Sequence, residues 1–208
     1  MSAIRRQSAM LALAGVAAAA LVACGSFRAA GSGPTRAGTA VAGDATAEQA
    51  LGNLVRLAGE RVKTADTVAA AKWGTPQPVD DPARERAVLD SASAKAARLG
   101  IDQATVRRIF EDQITANKAV QRALYAQWRA RPAERPTQRP DLAVQVRPVL
   151  DRIDSRLLTA IQQAQPLLTR PGCGAALNRY KAATVRAMGL DAVHQGGLDQ
   201  ALARICPA

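Results

Sequence analysis

Residues 102–128, DQATVRRIFEDQITANKAVQRALYAQW, carry the repeat of one long amphipathic helix. Positions three and four apart place one stripe on its surface, made of Val106, Phe110, Gln113, Asn117, Gln121, Leu124 and Trp128. The ends of the stripe are apolar, whereas its middle third is amide. A buried amide without a partner costs about 1–3 kcal/mol. The stripe therefore predicts a satisfied polar network, a polar ligand or a seam tilted toward solvent.

The same helical period continues on both sides of this segment, and no alternating strand pattern is evident. We expect helices over about 47–72, 81–100, 102–128, 149–168, 174–188 and 190–205, with Asp66 capping a kink in the first. Asp81 followed by Pro82 is typical of a helix start, and Gly100 of a helix end. The sequence predicts an all-α fold, a single-domain bundle of about six helices.

The first 24 residues are typical of an export signal. Arg5 and Arg6 precede an apolar run over 9–23, which is short for a membrane span. The run ends in Leu-Val-Ala before Cys24, which resembles a bacterial lipobox, and the alternative is an ordinary signal peptide. Residues 25–46 are rich in Gly, Ala, Ser and Thr and are interpreted as a flexible tether. We therefore predict a leader over 1–24, a tether over 25–46 and a domain over 47–208.

The other two cysteines, Cys173 and Cys206, form an even pair in an exported and oxidising environment. A bridge between them would close a loop of about 34 residues and stabilise the fold by about 3–4 kcal/mol. We expect it to clamp the C-terminal helices. Cys173 as a nucleophile is the weaker interpretation, because nothing marks the single histidine, His194, as its base.

The charge of the chain is positive, at +11, or +9 once the two leader arginines are removed. Its cations are scattered, and two Trp, two Tyr and two Phe leave few rings for base stacking. We expect no nucleic-acid partner. A positive field instead suits a small anionic ligand, or an anionic membrane surface near the tether.

Two cations on the first predicted helix can converge on one ligand. Arg61 and Lys72 are 11 residues apart, so a continuous helix places them on one face about 16 Å apart. For each of them alone, the ordinary interpretation is a solvated surface cation.

Four sequence blocks together resemble a known family. They are GERVKTADTVAAAKW over 59–73, VDDPARE over 79–85, IFEDQITANKAVQ over 109–121, and Arg147 within VRPVLDRIDSRLL. In order and spacing, they are similar to the exported all-helical chorismate mutases, the gamma subclass of the AroQ type. The two C-terminal cysteines match as well, and the resemblance spans about residues 47–207.

The resemblance implies an isomerase that converts chorismate to prephenate by a [3,3]-sigmatropic rearrangement, without a cofactor, a metal or a covalent intermediate. Lys72 and Gln121 resemble the catalytic pair that donates hydrogen bonds to the ether oxygen. Arg61, Arg84 and Arg147 resemble carboxylate clamps, and Arg61 belongs to the catalytic set as well. Glu85 and Asp81 would receive or orient the substrate hydroxyl, and Asn117 would line the carboxylate side.

Two positions depart from some relatives. Glutamate replaces Gln121 in some of them, and a glutamate must be protonated to donate, whereas an amide donates at any ordinary pH. Val88 stands where others carry a polar residue, so it lines the pocket or merely packs.

Other polar and aromatic residues receive structural interpretations. Gln113 either supports Asn117 behind the pocket or forms a hydrogen bond between helices, and we expect the second. Lys118 is a candidate for the pocket rim. Trp73 and Trp128 are expected to anchor the core. A solvated charge face with weak ion pairing is expected of Asp151, Arg152, Asp154 and Arg156.

A second function class stays open at this point, a non-enzymatic exported helical bundle such as a lipoprotein adaptor or chaperone. It explains the leader, tether and disulfide equally well, but not the recurrence of cations, acid and amides at the family's spacing. We expect a periplasmic or secreted protein that contacts the membrane only through lipid on Cys24. A homodimer is compatible with a site built within one chain.

Overall fold

The computed structural model describes residues 37–206, with side chains from residue 45 onward, and all regular elements in this range are helical. The six helices are α1 (Ala37–Lys72), α2 (Pro82–Leu99), α3 (Gln103–Ala130), α4 (Arg147–Leu168), α5 (Cys173–Met188) and α6 (Ala192–Leu202). A 3-10 turn at Pro132–Glu134 and a π-helical turn at Leu142–Val146 join α3 to α4. The prediction of an all-α bundle of about six helices is confirmed.

The predicted helix ends are present at α2 and α3. Asp81 accepts a hydrogen bond from the Arg84 backbone N–H and caps α2, and Pro82 occupies its first turn. Gly100 ends α2 in the left-handed region, at a φ of 68°. Asp102 then accepts from the Thr105 N–H and starts α3. These local signals fix how the two helices reverse direction.

Helix α1 is continuous to Lys72, so the predicted kink at Asp66 is wrong. The Asp66 carboxylate instead contacts His194 Nε2 on α6 at 2.8 Å. Because the helix is unbroken, Arg61 and Lys72 share a face as the spacing predicted. Helix α1 also begins at Ala37, within the stretch that we interpreted as a tether, while the proposed leader and Cys24 lie outside the described residues.

Helix α1 is the centre of the bundle and packs against α3, α4, α5 and α6. Cross-helix contacts show α3 running parallel to it, since Arg61 meets Gln113 and Tyr125 meets Ala69, whereas α4 runs antiparallel. Fully buried side chains in the shared core include Leu51, Leu54, Phe110, Leu157, Ile161 and Leu198. Gly197 brings α6 close, because a Cβ there would lie 2.6 Å from Val120.

The Cys173–Cys206 disulfide is formed, with the two Cα atoms 5.8 Å apart. It joins the first residue of α5 to the residues that follow α6, and so clamps the C-terminal helices as predicted. Both sulfurs are therefore committed, which excludes Cys173 as a nucleophile in this state. None of the helices within residues 37–206 combines the length and the apolarity that crossing a membrane requires.

His194 ties α6 to α1 by charge. Its Nε2 lies 2.8 Å from Asp66 Oδ1 and its Nδ1 lies 2.7 Å from Asp191 Oδ1, so a fully protonated ring satisfies both carboxylates. The hydrogen bond to Asp66, together with that to Asp191, outweighs burial and raises the pKa of His194 to about 9. The only histidine of the chain is thus a cationic link outside the pocket described next.

Candidate active site

A cavity of about 260 Å³ lies between α1, α2, α3 and the start of α4. All nine residues predicted to bind substrate or lie at its rim contribute to the walls: Arg61, Lys72, Asp81, Arg84, Glu85, Asn117, Lys118, Gln121 and Arg147. Gln113 does not contribute. Four blocks that are far apart in sequence therefore meet around one cavity.

Arg61 is buried, with only 4% of its surface exposed, and its side chain is held in place by hydrogen bonds. Its Nε donates to Asp154 Oδ1 at 2.7 Å, and its Nη1 donates to the backbone oxygen of Gln113 at 2.9 Å. These two bonds tie α1 to α4 and to α3. A guanidinium has five N–H donors, so three stay uncommitted among the described residues. Two of these suffice for a bidentate bond to a carboxylate.

The amide stripe of α3 is buried, so the solvent-tilted alternative is wrong. Asn117 Nδ2 donates to the Arg61 backbone oxygen and to Thr64 Oγ1, and Asn117 Oδ1 accepts from Gln121 Nε2 at 2.8 Å. Since the Arg61 oxygen can only accept, this chain of bonds fixes which end of each amide points where. Gln121 thereby keeps one Nε2 hydrogen uncommitted.

Gln113 bonds between helices, as expected. Its Nε2 donates to the Ala201 backbone oxygen on α6 at 3.0 Å. Within the described part of the chain, the Oε1 atoms of Gln113 and Gln121 are buried and accept no hydrogen bond. Such unsatisfied atoms are rare in folded proteins and are found where function imposes a cost. Gln121 lines the pocket, whereas Gln113 does not.

Lys72, the last residue of α1, reaches the loop before α2. Its Nζ donates to the backbone oxygens of Pro78 and Val79 at 2.9 and 3.3 Å, which leaves one of three hydrogens free. Burial lowers the pKa of Lys72; attraction from Asp81, Glu85 and Asp80 opposes this shift, and repulsion from Arg147 adds to it. The ammonium group is therefore positioned by the main chain and partly desolvated, which strengthens its interaction with a ligand.

The two acidic residues that line the cavity at the start of α2 already have partners. Asp81 caps the helix, and Glu85 Oε1 accepts from the Asp81 N–H. Lys118 Nζ lies 2.9 Å from both oxygens of Glu85 and 3.2 Å from Asp80. Burial lowers the pKa of Lys118, but the hydrogen bonds that it donates to Glu85 and Asp80 outweigh burial, so the net shift of the pKa is upward. Lys118 thus neutralises Glu85 from the wall of the cavity.

Arg84 and Arg147 are the more open cations of the pocket. Arg84 Nη2 makes one long contact, 3.4 Å, with the exposed Asp151. Arg147 begins α4 directly after the π-helical turn, which Asp141 caps by accepting from the Ala143 and Val144 N–H groups. Among the described residues, the Arg147 guanidinium has no hydrogen-bond or ion-pair partner. Both side chains can reorient toward an incoming anion.

Asp154 is the residue that the sequence interpretation placed wrongly. We expected a solvated charge, but Asp154 is 8% exposed and pairs with Arg61 in the cavity wall. The signal was present, because Asp154 lies on the helical stripe of Leu150, Leu157 and Ile161. An acid on an apolar stripe, like the amides of α3, predicts a buried polar partner or a ligand. Asp151, Arg152 and Arg156 are exposed, as expected.

The aromatic residues lie away from the cavity. Trp73 packs edge to face on Tyr125 and Trp128, with ring centroids 5.0 and 5.3 Å away. Neither tryptophan lines the pocket. Trp128 is buried, as expected of a core anchor, whereas Trp73 is only half-buried. Val88 both lines the cavity and packs against the core. The apolar part of the wall, which sequence reasoning did not identify, includes Val68, Val79, Ile114, Leu142, Val146 and Leu150.

The charges around the cavity favour a small dianion. Five cationic side chains, Arg61, Lys72, Arg84, Lys118 and Arg147, face three acidic ones, Asp81, Glu85 and Asp154, which leaves a balance of +2. Within residues 37–206 no group of His, Cys, Asp and Glu is arranged to hold a metal ion. The wall can clamp carboxylates and donate hydrogen bonds, one charged and one neutral, to an oxygen between them.

Comparison with known sequences yields one family. Residues 52–122 match the family model described as chorismate mutase type II, and this range contains every predicted site residue except Arg147. The chain is 36% identical over 158 residues to a secreted chorismate mutase of Mycobacterium tuberculosis, covering 76% of this chain and 79% of the relative. It is 35% identical over 164 residues to a secreted chorismate mutase of Mycolicibacterium smegmatis, covering 78% and 90%.

Solved structures give the same result. A chorismate mutase from Burkholderia phymatum superposes with a TM-score of 0.73 at 37% identity, over 78% of this chain and 99% of that one. A chorismate mutase from Burkholderia thailandensis gives a TM-score of 0.72 at 39% identity, over 76% and 99%. The similarity therefore extends over nearly the whole of both solved chains.

Proposed function

This chain belongs to the type II chorismate mutases and converts chorismate to prephenate, and we propose that the rearrangement takes place in the cavity between α1, α2, α3 and α4. The reaction breaks one C–O bond and forms one C–C bond within a single molecule. It needs no nucleophile and no net proton transfer. The protein therefore has two tasks, to hold a flexible dianion in its folded reactive shape and to stabilise the ether oxygen as it gains charge.

One observation carries the proposal. Lys72 and Gln121 line the same cavity from α1 and α3. The acceptors that hold Lys72 Nζ and Gln121 Nε2 leave one hydrogen free on each nitrogen. Lys72 is the cationic donor to the ether oxygen and Gln121 the neutral one. Because neither group must reorient when charge develops, both are suited to stabilising the transition state more than the ground state.

The arginines bind the two carboxylates. Arg61 acts from the buried wall with its remaining N–H groups, while Arg84 and Arg147 close on the substrate from the open side. The planar fork of arginine binds a carboxylate through two parallel hydrogen bonds, which fixes orientation as well as charge. This division explains why one clamp is rigid and two are exposed.

The remaining polar groups orient the substrate and the donors. Glu85 and Asp81 receive the substrate hydroxyl, with Lys118 holding Glu85 in place from the rim. Asn117 lies on the carboxylate side of the cavity. Since both ends of its amide are engaged, Asn117 acts chiefly by holding Gln121 with a nitrogen toward the substrate.

The chain acts outside the cytoplasm, as the secreted relatives from two mycobacterial species do. We propose in addition that residues 1–24 are an export signal, that residues 25–46, whose last ten form the first turns of α1, tether the domain that begins at residue 47, and that Cys24 carries lipid. Mass spectrometry of the mature N-terminus tests the lipid. We also propose a homodimer in which each site is built within one chain. Light scattering tests the oligomeric state. A non-enzymatic adaptor is the alternative, and it does not account for the similarity to chorismate mutases.

The decisive experiment follows the ultraviolet absorbance of chorismate with the purified mature chain. Lys72→Ala removes the cationic donor and should lower kcat by about 10²–10³-fold, the range seen for loss of one transition-state donor. Lys181→Ala is the matched control and should keep full activity, because Lys181 is a partly exposed lysine that pairs with Asp199 and does not line the cavity. No turnover by the wild-type chain would refute the function. A Lys72→Ala variant as fast as wild type would refute the site.

A further inference from the structure

A carboxylate lies behind the buried arginine of the cavity. Asp154 Oδ1 accepts from Arg61 Nε at 2.7 Å, and both side chains line the same cavity. We propose that Asp154 is a positioning residue, which fixes the Arg61 guanidinium in the orientation that clamps a substrate carboxylate. This inference rests on the proposed function, because the clamp role of Arg61 is itself part of that proposal.

The geometry fixes the whole guanidinium plane. One bond to Asp154 on α4 and one to the Gln113 backbone oxygen on α3 hold two different nitrogens of the group. A planar group held at two points from two helices cannot rotate freely. Its three remaining N–H groups therefore point in set directions before substrate arrives, and no rotamer has to be selected during binding.

The charge balance supports the same role. Arg61 is buried, and a buried cation without a counter-ion is strongly unfavourable, so the guanidinium needs a carboxylate nearby before any substrate binds. With Asp154 ionised, the pair is close to neutral as a unit. The long-range attraction for a dianion then comes from Lys72, Arg84 and Arg147, while Arg61 contributes direction. With Asp154 as its counter-ion, Arg61 mainly aligns the substrate, while the other cations attract it.

A purely structural tie between α1 and α4 predicts different behaviour. In that case, weakening the pair would lower stability without changing turnover of the folded enzyme. A positioning role predicts that kcat falls in the folded enzyme. KM changes less, because removing one negative charge beside the dianion offsets the poorer alignment.

The first test reads the pair in solution without any substrate. In a ¹H–¹⁵N spectrum of the full mature chain, the Arg61 Nε–H should give a resolved, slowly exchanging signal, identified by its loss in Arg61→Lys. The signal should collapse into the exchanging arginine signals in Asp154→Asn. Absence of a protected Arg61 signal in the wild-type chain would overturn the proposal, whether or not the chain turns over chorismate.

The second test is a double-mutant cycle on kcat and kcat/KM with chorismate. Asp154→Asn, which keeps the shape and loses the charge, should lower kcat by at least about tenfold, as expected for a misaligned clamp. The same change in an Arg61→Ala background should have an effect of under about twofold, since Asp154 acts through Arg61. Asp199→Asn on α6 removes an equal charge far from the cavity and should leave kcat unchanged.

The outcomes separate this inference from the proposed function. If wild type turns over chorismate but Asp154→Asn keeps kcat within tenfold, or loses as much in the Arg61→Ala background, Asp154 is not a positioning residue and the function stands. If the wild-type chain does not turn over chorismate, the proposed function is refuted. The ¹H–¹⁵N spectrum alone then tests whether Asp154 holds Arg61. Thermal unfolding of each variant, recorded alongside, confirms that rates refer to folded protein.

Discussion

The two ends of the bundle use the same helical stripes with opposite chemistry. At one end, which we call the apolar end, buried side chains meet in one hydrophobic cluster that includes Cys173; among them are Leu51, Leu54, Val55, Val106, Phe110, Leu157 and Ile161. At the other, the polar end, the same stripes continue as Arg61 and Lys72 on α1, Asn117 and Gln121 on α3, and Asp154 on α4. On α1, α3 and α4, the switch from apolar to polar side chains occurs at the same height along the bundle.

That shared level follows from the direction of the helices. Because α3 runs parallel to α1 and α4 runs antiparallel, Arg61, Gln113 and Asp154 meet at the boundary, where the guanidinium bonds both neighbours. The apolar end supplies stability, which leaves the polar end free to bury amides and charges that an apolar core would not tolerate.

The largest test of this division removes packing from the apolar end. Phe110→Ala deletes a fully buried ring and should lower the free energy of unfolding by about 3–5 kcal/mol. Urea denaturation measures the loss, and kcat per folded molecule should stay near the wild-type value. A kcat that falls with stability under native conditions would show that the two ends are not independent.

A smaller effect is expected from one change in the amide chain. In Gln121→Glu, the side chain donates only while protonated, because Asn117 Oδ1 and the substrate oxygen are both acceptors. Activity should therefore fall as pH rises from 5 to 8, approaching about tenfold per unit above the pKa of the new carboxyl. The wild-type enzyme should show no such loss over this range.

The profile of kcat against pH checks this assignment. A steep wild-type loss that disappears in Gln121→Glu would contradict the role of Gln121. Asn117→Ser provides a further comparison, since it frees the amide of Gln121 and should lower kcat without introducing a titration.

The smallest effect concerns the charged link between α1 and α6. The pKa of His194 is raised above its unfolded value of 6.5 to about 9, so its contribution to stability is complete below pH 6.5. The contribution is lost as pH rises through about 9. We expect a decrease on the order of 1 kcal/mol, because solvent screens the half-exposed Asp66.

Urea denaturation at pH 6, 7.5 and 9.5 measures this dependence. In His194→Gln the decrease should be absent over the same interval, whereas kcat at pH 7 should be unchanged because His194 does not line the cavity. Equal slopes for the two proteins would show that other groups cause the pH dependence.

Most of the fold and much of the candidate site follow from the sequence. Helical periodicity and the caps at Asp81, Gly100 and Asp102 locate α2 and α3 to within about two residues. Every residue that the family resemblance proposed for the pocket lies on its wall. Asp66 was interpreted wrongly because an acid inside a helix resembles a cap, and nothing local reveals that its partner is 128 residues away.

The polar faces of the helices, the helix ends and the pairing of the two cysteines can be inferred from the amino-acid sequence, because they depend on local periodicity and on residue type. Which polar groups are free and which are occupied depends instead on how the helices pack. Asp154 became the counter-ion of Arg61, and Lys118 that of Glu85, because helix direction brings distant residues to one level of the bundle. Such pairings arise from the packing of whole helices, and no local pattern encodes them.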